Sequence, residues 1–362
     1  MNTAVRMTTS FLSRLFGRLG VSKHGRATHT WGVASRGHIV INDSPDFPDH
    51  DFFQPGKKFP VQIRHATISF EDDAVKDVRS GSVKFSHHHL ESPLDLIMNT
   101  GEENAFWNLK TFLAFTWAGV RGEKGLQNYC EKYPEGYRVA RGSVRRAPDS
   151  FLQLRYYSKL PFHFRTQDGQ TLLVKFKLGP FEDLPDSGIA TGQDSIDMWK
   201  QGRLEGETRP FDYLRKDHLA RLKQQAIQYR LSMQLHTPVA GESKEIYNAA
   251  KAWDEASHPW IEVGVATMTE ALSFEETEML MYRINHMPPA ISIIPATSLS
   301  DYNSLGYARS KIYKYAQGLR LRYYQSRKQV GPTPSSPPPY VAPTVDSEQS
   351  TAANTAAGSQ GR

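Results

Sequence analysis

An α+β fold organised around an antiparallel β-barrel is what this chain predicts, on three observations. Short β-rich runs recur with turn residues between them, one pair carries a clear hairpin turn, and helical segments interrupt the strands without alternating with them one for one. GHIVIND, FPVQIRHATISF, GSVKFS and PLDLIMN are the first runs, each bounded by Gly, Pro, Asn or Asp. PFHFRTQDGQTLLVKFKL reads as two strands joined at Asp168-Gly169. Two more lie around residues 229–236 and 260–268, which makes about eight strands, enough to close or nearly close a barrel. Helical insertions are expected at about residues 104–133, 144–156 and 213–225. A further helix starts at Ser273, where Glu276 completes a capping box, and is expected to reach about Asn285. No internal repeat is present.

With 362 residues the chain can bury a sizeable core in one large domain or two small ones. Its 39% hydrophobic and 23% charged residues are ordinary for a globular protein, and no run of eighteen apolar residues occurs that could span a membrane. Cys130 is the single cysteine, which excludes internal disulfides and cysteine-based metal clusters. It also points to a reducing compartment, so the expected location is cytoplasmic or peripheral to a membrane. The net charge of +6 is unevenly spread, because no acidic residue precedes Asp43. An excess gathered in an arm argues against a general nucleic-acid surface.

That arm, residues 1–23, is basic and amphipathic: Phe11, Leu12, Leu15, Phe16 and Leu19 share one helical face, with Arg14 and Arg18 on another. Three readings compete for it. It could pack on the domain or on a neighbouring subunit, dock residues 10–20 on anionic lipid, or act as a transit peptide. It is too short and too polar for a secretory signal. Residues 24–327 hold the barrel and its helices. Residues 328–362 are rich in Pro, Ser, Thr, Ala and Gly and are expected to be disordered. Pro337–Pro339 with Tyr340 match the P-P-x-Y pattern accepted by WW domains, although a solvated tail is the simpler account.

The stretch at residues 301–327 carries the first chemical signal. Past Asn303 and Gly306 it is proline-free and made of strong helix formers. Arg309, Tyr313, Gln317 and Arg320 fall at i, i+4, i+8 and i+11, on one face. A guanidinium within reach of a phenol favours the phenolate, a hard anionic donor of the kind that ligates haem iron axially. Upstream, Arg26 and Arg64 flank His29, and Arg64 sits in a strand. Buried arginines need anionic partners, and no acid near either is evident in the sequence.

These residues belong to an ordered series: R-x-x-H at Arg26 and His29, P-V-x-x-R ending at Arg64, and D-x-R-x-x-x-V-K-F from Asp77 to Phe85. N-T at Asn99 and Thr100, W-x-x-x-x-H-P-x-I-E-V-G from Trp253 to Gly264, N-x-M-P-P from Asn285 to Pro289, and R-x-x-x-Y at Arg309 and Tyr313 complete it. In order and spacing the series resembles the core of the haem catalases over about residues 24–327. R-A-T-H-T, F-P-x-H-x-F-F, the run at 97–108, R-R-A-P-D-x-F at 145–151 and D-Y-N-S at 301–304 resemble more narrowly the catalase-related allene oxide synthases, which corals carry fused to a lipoxygenase.

The resemblance implies a catalase-like barrel, a C-terminal haem-ligating helix and ferric haem b as cofactor. Tyr313 would be the proximal iron ligand, held as phenolate by Arg309. Arg26, Arg64 and Arg320 would pair with the haem propionates. His29 would relay protons on the distal side, Asn99 would orient the peroxide, and Thr28 would adjoin the relay. Two departures from catalases proper stand out: Thr28 replaces a valine and Ala66 replaces a serine, both as in the allene oxide synthase branch and both against fast disproportionation of hydrogen peroxide. The implied activity is dehydration of polyunsaturated fatty acid hydroperoxides to allene oxides. Hydroperoxide lyase and organic-hydroperoxide peroxidase chemistry are the alternatives, followed by a true catalase or a non-catalytic haem carrier. A fatty acid hydroperoxide is the implied substrate, and a lipoxygenase is a possible partner that supplies it. An oligomer is compatible with the resemblance. His87-His88-His89 resembles a metal site, but consecutive histidines diverge in an extended chain, so a solvated loop is expected.

Overall fold

In the computed structural model, residues 3–22, 25–197 and 199–326 are described. The expected disordered tail and its P-P-x-Y pattern lie outside them. The elements in order are α1 (Thr3–Ser22), β1 (Gly32–Ile41), β2 (Lys58–Thr67), β3 (Arg79–Lys84), β4 (Asp95–Thr100), α2 (Leu109–Val120), α3 (Gly122–Lys132) and α4 (Pro134–Ser143). Then come β5 (Tyr156–Tyr157), β6 (Phe162–Arg165), β7 (Thr171–Pro180), α5 (Gly192–Ile196), α6 (Tyr213–Gln224), β8 (Ile227–His236), β9 (Ile261–Ala271), α7 (Phe274–Met279), β10 (Ile291–Ser292) and α8 (Ser304–Ser326). All strand pairs are antiparallel. The order β7-β5-β4-β3-β2-β1-β9-β8 closes through β7–β8 into an eight-stranded barrel, and β6 with β10 extends from β7. The Asp168-Gly169 hairpin forms as expected between β6 and β7, with Gly169 at φ +87.

Strand parity decides where the functional face lies. Val61 and Ile63 on β2, Val83 on β3, and Leu96 and Met98 on β4 fill the barrel interior with the main hydrophobic cluster. The alternate residues, Arg64 and Ala66, Ser80 and Ser82, Ile97 and Asn99, therefore point outward. The register aligns Ala66 with Ser80 and Ser80 with Asn99, so this outward row is contiguous across three strands. Helices cover it. α1 lies on α8 so closely that a Cβ on Gly17 would stand 2.5 Å from Leu319 Cδ1, and Val5, Leu12, Leu109, Ala308 and Ile312 form a second core between α1, α2 and α8.

Three helical expectations change. Residues 144–156 are not a helix but an extended run ending in a single 3-10 turn at Phe151–Gln153. Arg145 is instead held by main-chain pairing to Asp77 and Ile189, and its guanidinium is paired to Asp186 at 2.6 Å. Pro148 and the left-handed Ala147 (φ +44) complete the break. The helix at 104–133 is two helices, and Pro134 starts a third that the pattern did not suggest, since proline is pre-organised for a first turn. The helix after Ser273 has its capping box but stops at Met279. Beyond it, Met281 N–H donates to His89 O, and the carbonyls of Leu280 and Tyr282 accept from side chains of Arg26, Arg320 and Gln317, so tertiary partners replace helical ones. The histidine triplet is half-buried, not solvated. His87 Nε2 lies 2.8 Å from Gly37 O and His88 Nδ1 accepts from Glu91 N–H, each ring satisfied by backbone, and no metal-holding group of side chains occurs among the described residues.

Candidate active site

A cavity of about 410 Å³ lies between the outward row of β2–β4 and helices α1 and α8. Arg309, Tyr313, Gln317 and Arg320 all line it, as the helical spacing requires, opposite a wall that includes Thr28, His29 and Asn99. Arg309 Nε donates to the Tyr313 hydroxyl at 3.2 Å. Gln317 sits between neighbours, its Nε2 donating to Tyr282 O at 2.6 Å and its Oε1 accepting from Arg283 Nε at 3.0 Å, which ties α8 to the segment after α7.

His29 is on the loop entering β1, in the left-handed region at φ +60, a conformation a non-glycine residue keeps only when its surroundings enforce it. Here they do. His29 N–H donates to Ile68 O at 2.8 Å, and Arg64 donates to the carbonyls of His29 and Thr30 at 3.0 and 3.3 Å. Gly32 leaves room for that guanidinium, since a Cβ there would stand 2.7 Å from Arg64 Cζ. The ring makes two contacts, Nδ1 to Thr28 Oγ1 at 2.9 Å and Nε2 to Asn99 Oδ1 at 3.4 Å. A carbonyl oxygen only accepts, so the Asn99 contact assigns the ring proton to Nε2 and makes the Thr28 hydroxyl the donor to Nδ1. Burial, aided by the charge on Arg64 and opposed by the Asn99 contact, lowers the His29 pKa to about 4, so the imidazole is neutral at pH 7.

The arginines find a partner the sequence did not reveal. Arg26 Nη1 lies 2.8 Å from Glu278 Oε2, and Arg64 Nη2 lies 3.2 Å from Glu278 Oε1. Arg26 and Arg320 also donate to Leu280 O, both at 2.8 Å. Burial pushes the Glu278 carboxyl up, but Arg26, Arg64 and Arg320 outweigh it and hold it below the usual range. Among the described residues three guanidinium groups thus lie about the Glu278 carboxylate, and Arg64 Nε is buried with no partner.

Sequence reasoning also missed Lys159, which lines the cavity with a left-handed backbone (φ +63). Its Nζ donates to Glu103 O at 2.9 Å and Ser143 Oγ at 3.3 Å, and burial with the charges of Arg145 and Arg309 pulls its pKa down to about 7. Nothing local distinguishes Glu278 from its neighbours in FEETEM or Lys159 from other lysines. The remaining wall is apolar, with Phe16 of α1, Phe106, Phe112, Phe115 and Leu160.

Other residues of the ordered series prove to be scaffold. Lys84 and Asp95 form a fully buried ion pair at 2.9 Å, and Asp95 also meets His286 Nδ1 at 2.9 Å. Arg79 donates to the carbonyls of Asp73 and Val75 beneath the barrel wall.

No family model matches the sequence. The chain is 36% identical over 308 residues, 83% of its length, to the allene oxide synthase-lipoxygenase protein of Plexaura homomalla, and covers 29% of that protein. It is 25% identical over 87% of its length to a linolenate 9R-lipoxygenase of Nostoc sp., covering 41% of it. The chain thus spans well under half the length of these relatives. Among solved structures, a bacterial catalase (TM-score 0.66, 18% identity, 86% of this chain and 61% of that one) and catalase A from Saccharomyces cerevisiae (TM-score 0.65, 16% identity, 83% and 62%) share the barrel and its helices. The chain has the fold of the catalases. Its sequence resembles the allene oxide synthase branch.

Proposed function

We propose that this catalase-related protein is a haem enzyme that dehydrates polyunsaturated fatty acid hydroperoxides to allene oxides. The observation that carries the reading is the hydrogen-bonded set Thr28–His29–Asn99 facing Arg309–Tyr313 across an apolar-walled cavity. The residues present fit haem: a tyrosine hydroxyl already paired with a guanidinium, a cluster of guanidinium groups suited to propionates, and the buried Arg64 Nε in want of an acceptor. Tyr313 would hold the iron, Arg309 would keep it as phenolate, and Arg26, Arg64 and Arg320 would hold the propionates. Haem, when bound, supplies cleavage of the O–O bond.

The chain's own groups then handle protons. The Nε2–H of His29 and the Asn99 amide are donors suited to the departing hydroperoxide oxygen. His29 and Asn99 hold the departing hydroperoxide oxygen by hydrogen bonds while it takes up the proton lost by the substrate carbon, so the net change is loss of water. Because Thr28 occupies Nδ1 as a donor, the ring is a poor acceptor for a proton from hydrogen peroxide, which separates this site from fast disproportionation. The apolar wall suits an acyl chain and keeps water from the reacting carbon. Fatty acid hydroperoxides as substrate, and a lipoxygenase as their source, agree with lipoxygenase in the names of two relatives.

The test is to mix haem-loaded protein in turn with hydrogen peroxide and with a fatty acid hydroperoxide, following oxygen release, diene absorbance and products by mass. Diene loss giving ketols or cyclopentenones, with little oxygen, is the expected result. Short aldehydes would make the protein a lyase, an alcohol formed at the expense of an added reductant would make it a peroxidase, and vigorous oxygen release would make it a catalase. No turnover of any peroxide would leave a haem carrier.

A further inference from the structure

We propose that the outer face of α1, with the exposed cations of α8 beside it, docks on an anionic lipid bilayer. The inner face of α1 is occupied: Val5 and Leu12 are fully buried against α2 and α8, and Phe16 stacks on Phe112 at 6.0 Å. The amphipathic pattern of the arm therefore does not end in its packing on the domain. Phe11, expected on the apolar face with Leu12 and Phe16, instead joins Met7, Arg14 and Arg18: Met7, Phe11, Arg14 and Arg18 follow at i, i+4, i+7 and i+11 and form the centre of the opposite, solvent-facing side. Met7 is 69% and Phe11 47% exposed, and Leu19 lies exposed at the edge. Beside them Tyr315 of α8, whose ring borders Gly17, is 42% exposed.

The charge around this apolar stripe has one sign. Arg6, Arg14 and Arg18 on α1 and Lys311, Lys314 and Arg322 on α8 are exposed, and neither helix contains an Asp or Glu. A half-buried helix that keeps bulky apolar side chains outward among arginines has the composition of an interfacial helix: the apolar groups enter the acyl boundary and the cations meet anionic headgroups. Charge also weighs against other occupants. A second copy meeting the same face would set cation against cation. Residues 327–362, with Arg327, Lys328 and Arg362 against Asp346 and Glu348, carry no acidic excess to match it.

The surface is joined to the site, because Phe16 and Gly20 on the inner side of α1 line the cavity. Docking would bring that wall of the cavity to the surface where lipid-derived hydroperoxides are found. That purpose rests on the proposed function, whereas the binding itself does not.

The experiment uses the full-length haem-loaded protein, sedimented with vesicles of phosphatidylcholine alone or with about 30% phosphatidylserine, at about 0.1 M and 0.5 M salt. Binding is expected only to the anionic vesicles and should weaken at the higher salt. Arg14→Glu combined with Arg18→Glu should weaken it at least tenfold, and so should Phe11→Ser, with haem spectrum and thermal midpoint unchanged because these side chains face solvent. Equal binding to neutral vesicles, no binding at all, or binding indifferent to both variants would overturn the proposal. So would a dimer in light scattering that Phe11→Ser dissociates, which would make the face a subunit contact. The readout is partitioning, so it stands whatever hydroperoxide chemistry the protein performs.

Discussion

Replacing Glu278 by Gln isolates the electrostatic logic of the cavity. The carboxylate lies 2.8 Å from Arg26 and 3.2 Å from Arg64, with side-chain exposures of 14%, 11% and 4% for Glu278, Arg26 and Arg64. Glutamine keeps the volume and one carbonyl acceptor but removes the carboxylate charge paired with Arg26 and Arg64. Breaking a buried pair from one side costs about 3–5 kcal/mol, because the surviving charges stay desolvated. In the haem-free protein this should appear as a thermal midpoint lowered by roughly 5–10 °C. If Arg26, Arg64 and Arg320 hold two propionates, haem restores two negative charges to the cluster, and the loss should fall to less than half. The thermodynamic cycle then requires haem to bind the variant more tightly than the parent, by about tenfold for each 1.4 kcal/mol of difference. Thermal unfolding of both forms and a haem titration measure every side of the cycle. An equal loss with and without haem, or weaker haem binding by Glu278→Gln, would refute the placement of propionates at this cluster.

Four further outcomes follow from named contacts. Tyr313→Phe should lose most bound haem, and full retention with the parent absorbance spectrum would remove Tyr313 as ligand. His29→Ala should keep haem yet slow hydroperoxide turnover by about 10²–10⁴-fold, the range of a positioned proton donor, as read by stopped-flow diene loss. Thr28→Val removes the hydroxyl from Nδ1 and frees the ring to accept protons, so oxygen release from hydrogen peroxide should rise relative to fatty acid hydroperoxide turnover. Burial lowers His50 and His218 to about 4, below the ordinary 6.5, so the folded chain binds fewer protons than the unfolded one between these values. Their contribution is complete above pH 6.5 and falls as pH drops towards 4, by up to about 3 kcal/mol for each, and urea midpoints at pH 7 and 4.5 check the sign.

Much of the architecture was legible because it rests on local rules. Strand alternation, the Asp168-Gly169 turn, the Ser273/Glu276 box and the helical face of Arg309, Tyr313, Gln317 and Arg320 each depend on residues within a few positions of one another. Where a local signal met a tertiary competitor it failed: 144–156 was drawn straight by Asp77, Asp186 and Ile189, and the helix after Ser273 gave up its last turns to Arg26, Arg320 and Gln317.

By itself the sequence determined the strands of the barrel and the shared face of Arg309, Tyr313, Gln317 and Arg320, since period and spacing encode them. Tertiary structure alone decided which faces meet. It put Arg26 and Arg64 on Glu278 across more than two hundred residues of chain, set Thr28 on the imidazole of His29, turned Lys159 into the cavity and left Met7 and Phe11 outside. Ion pairing and burial depend on distance through space, and separation along the chain carries no record of it until the barrel closes.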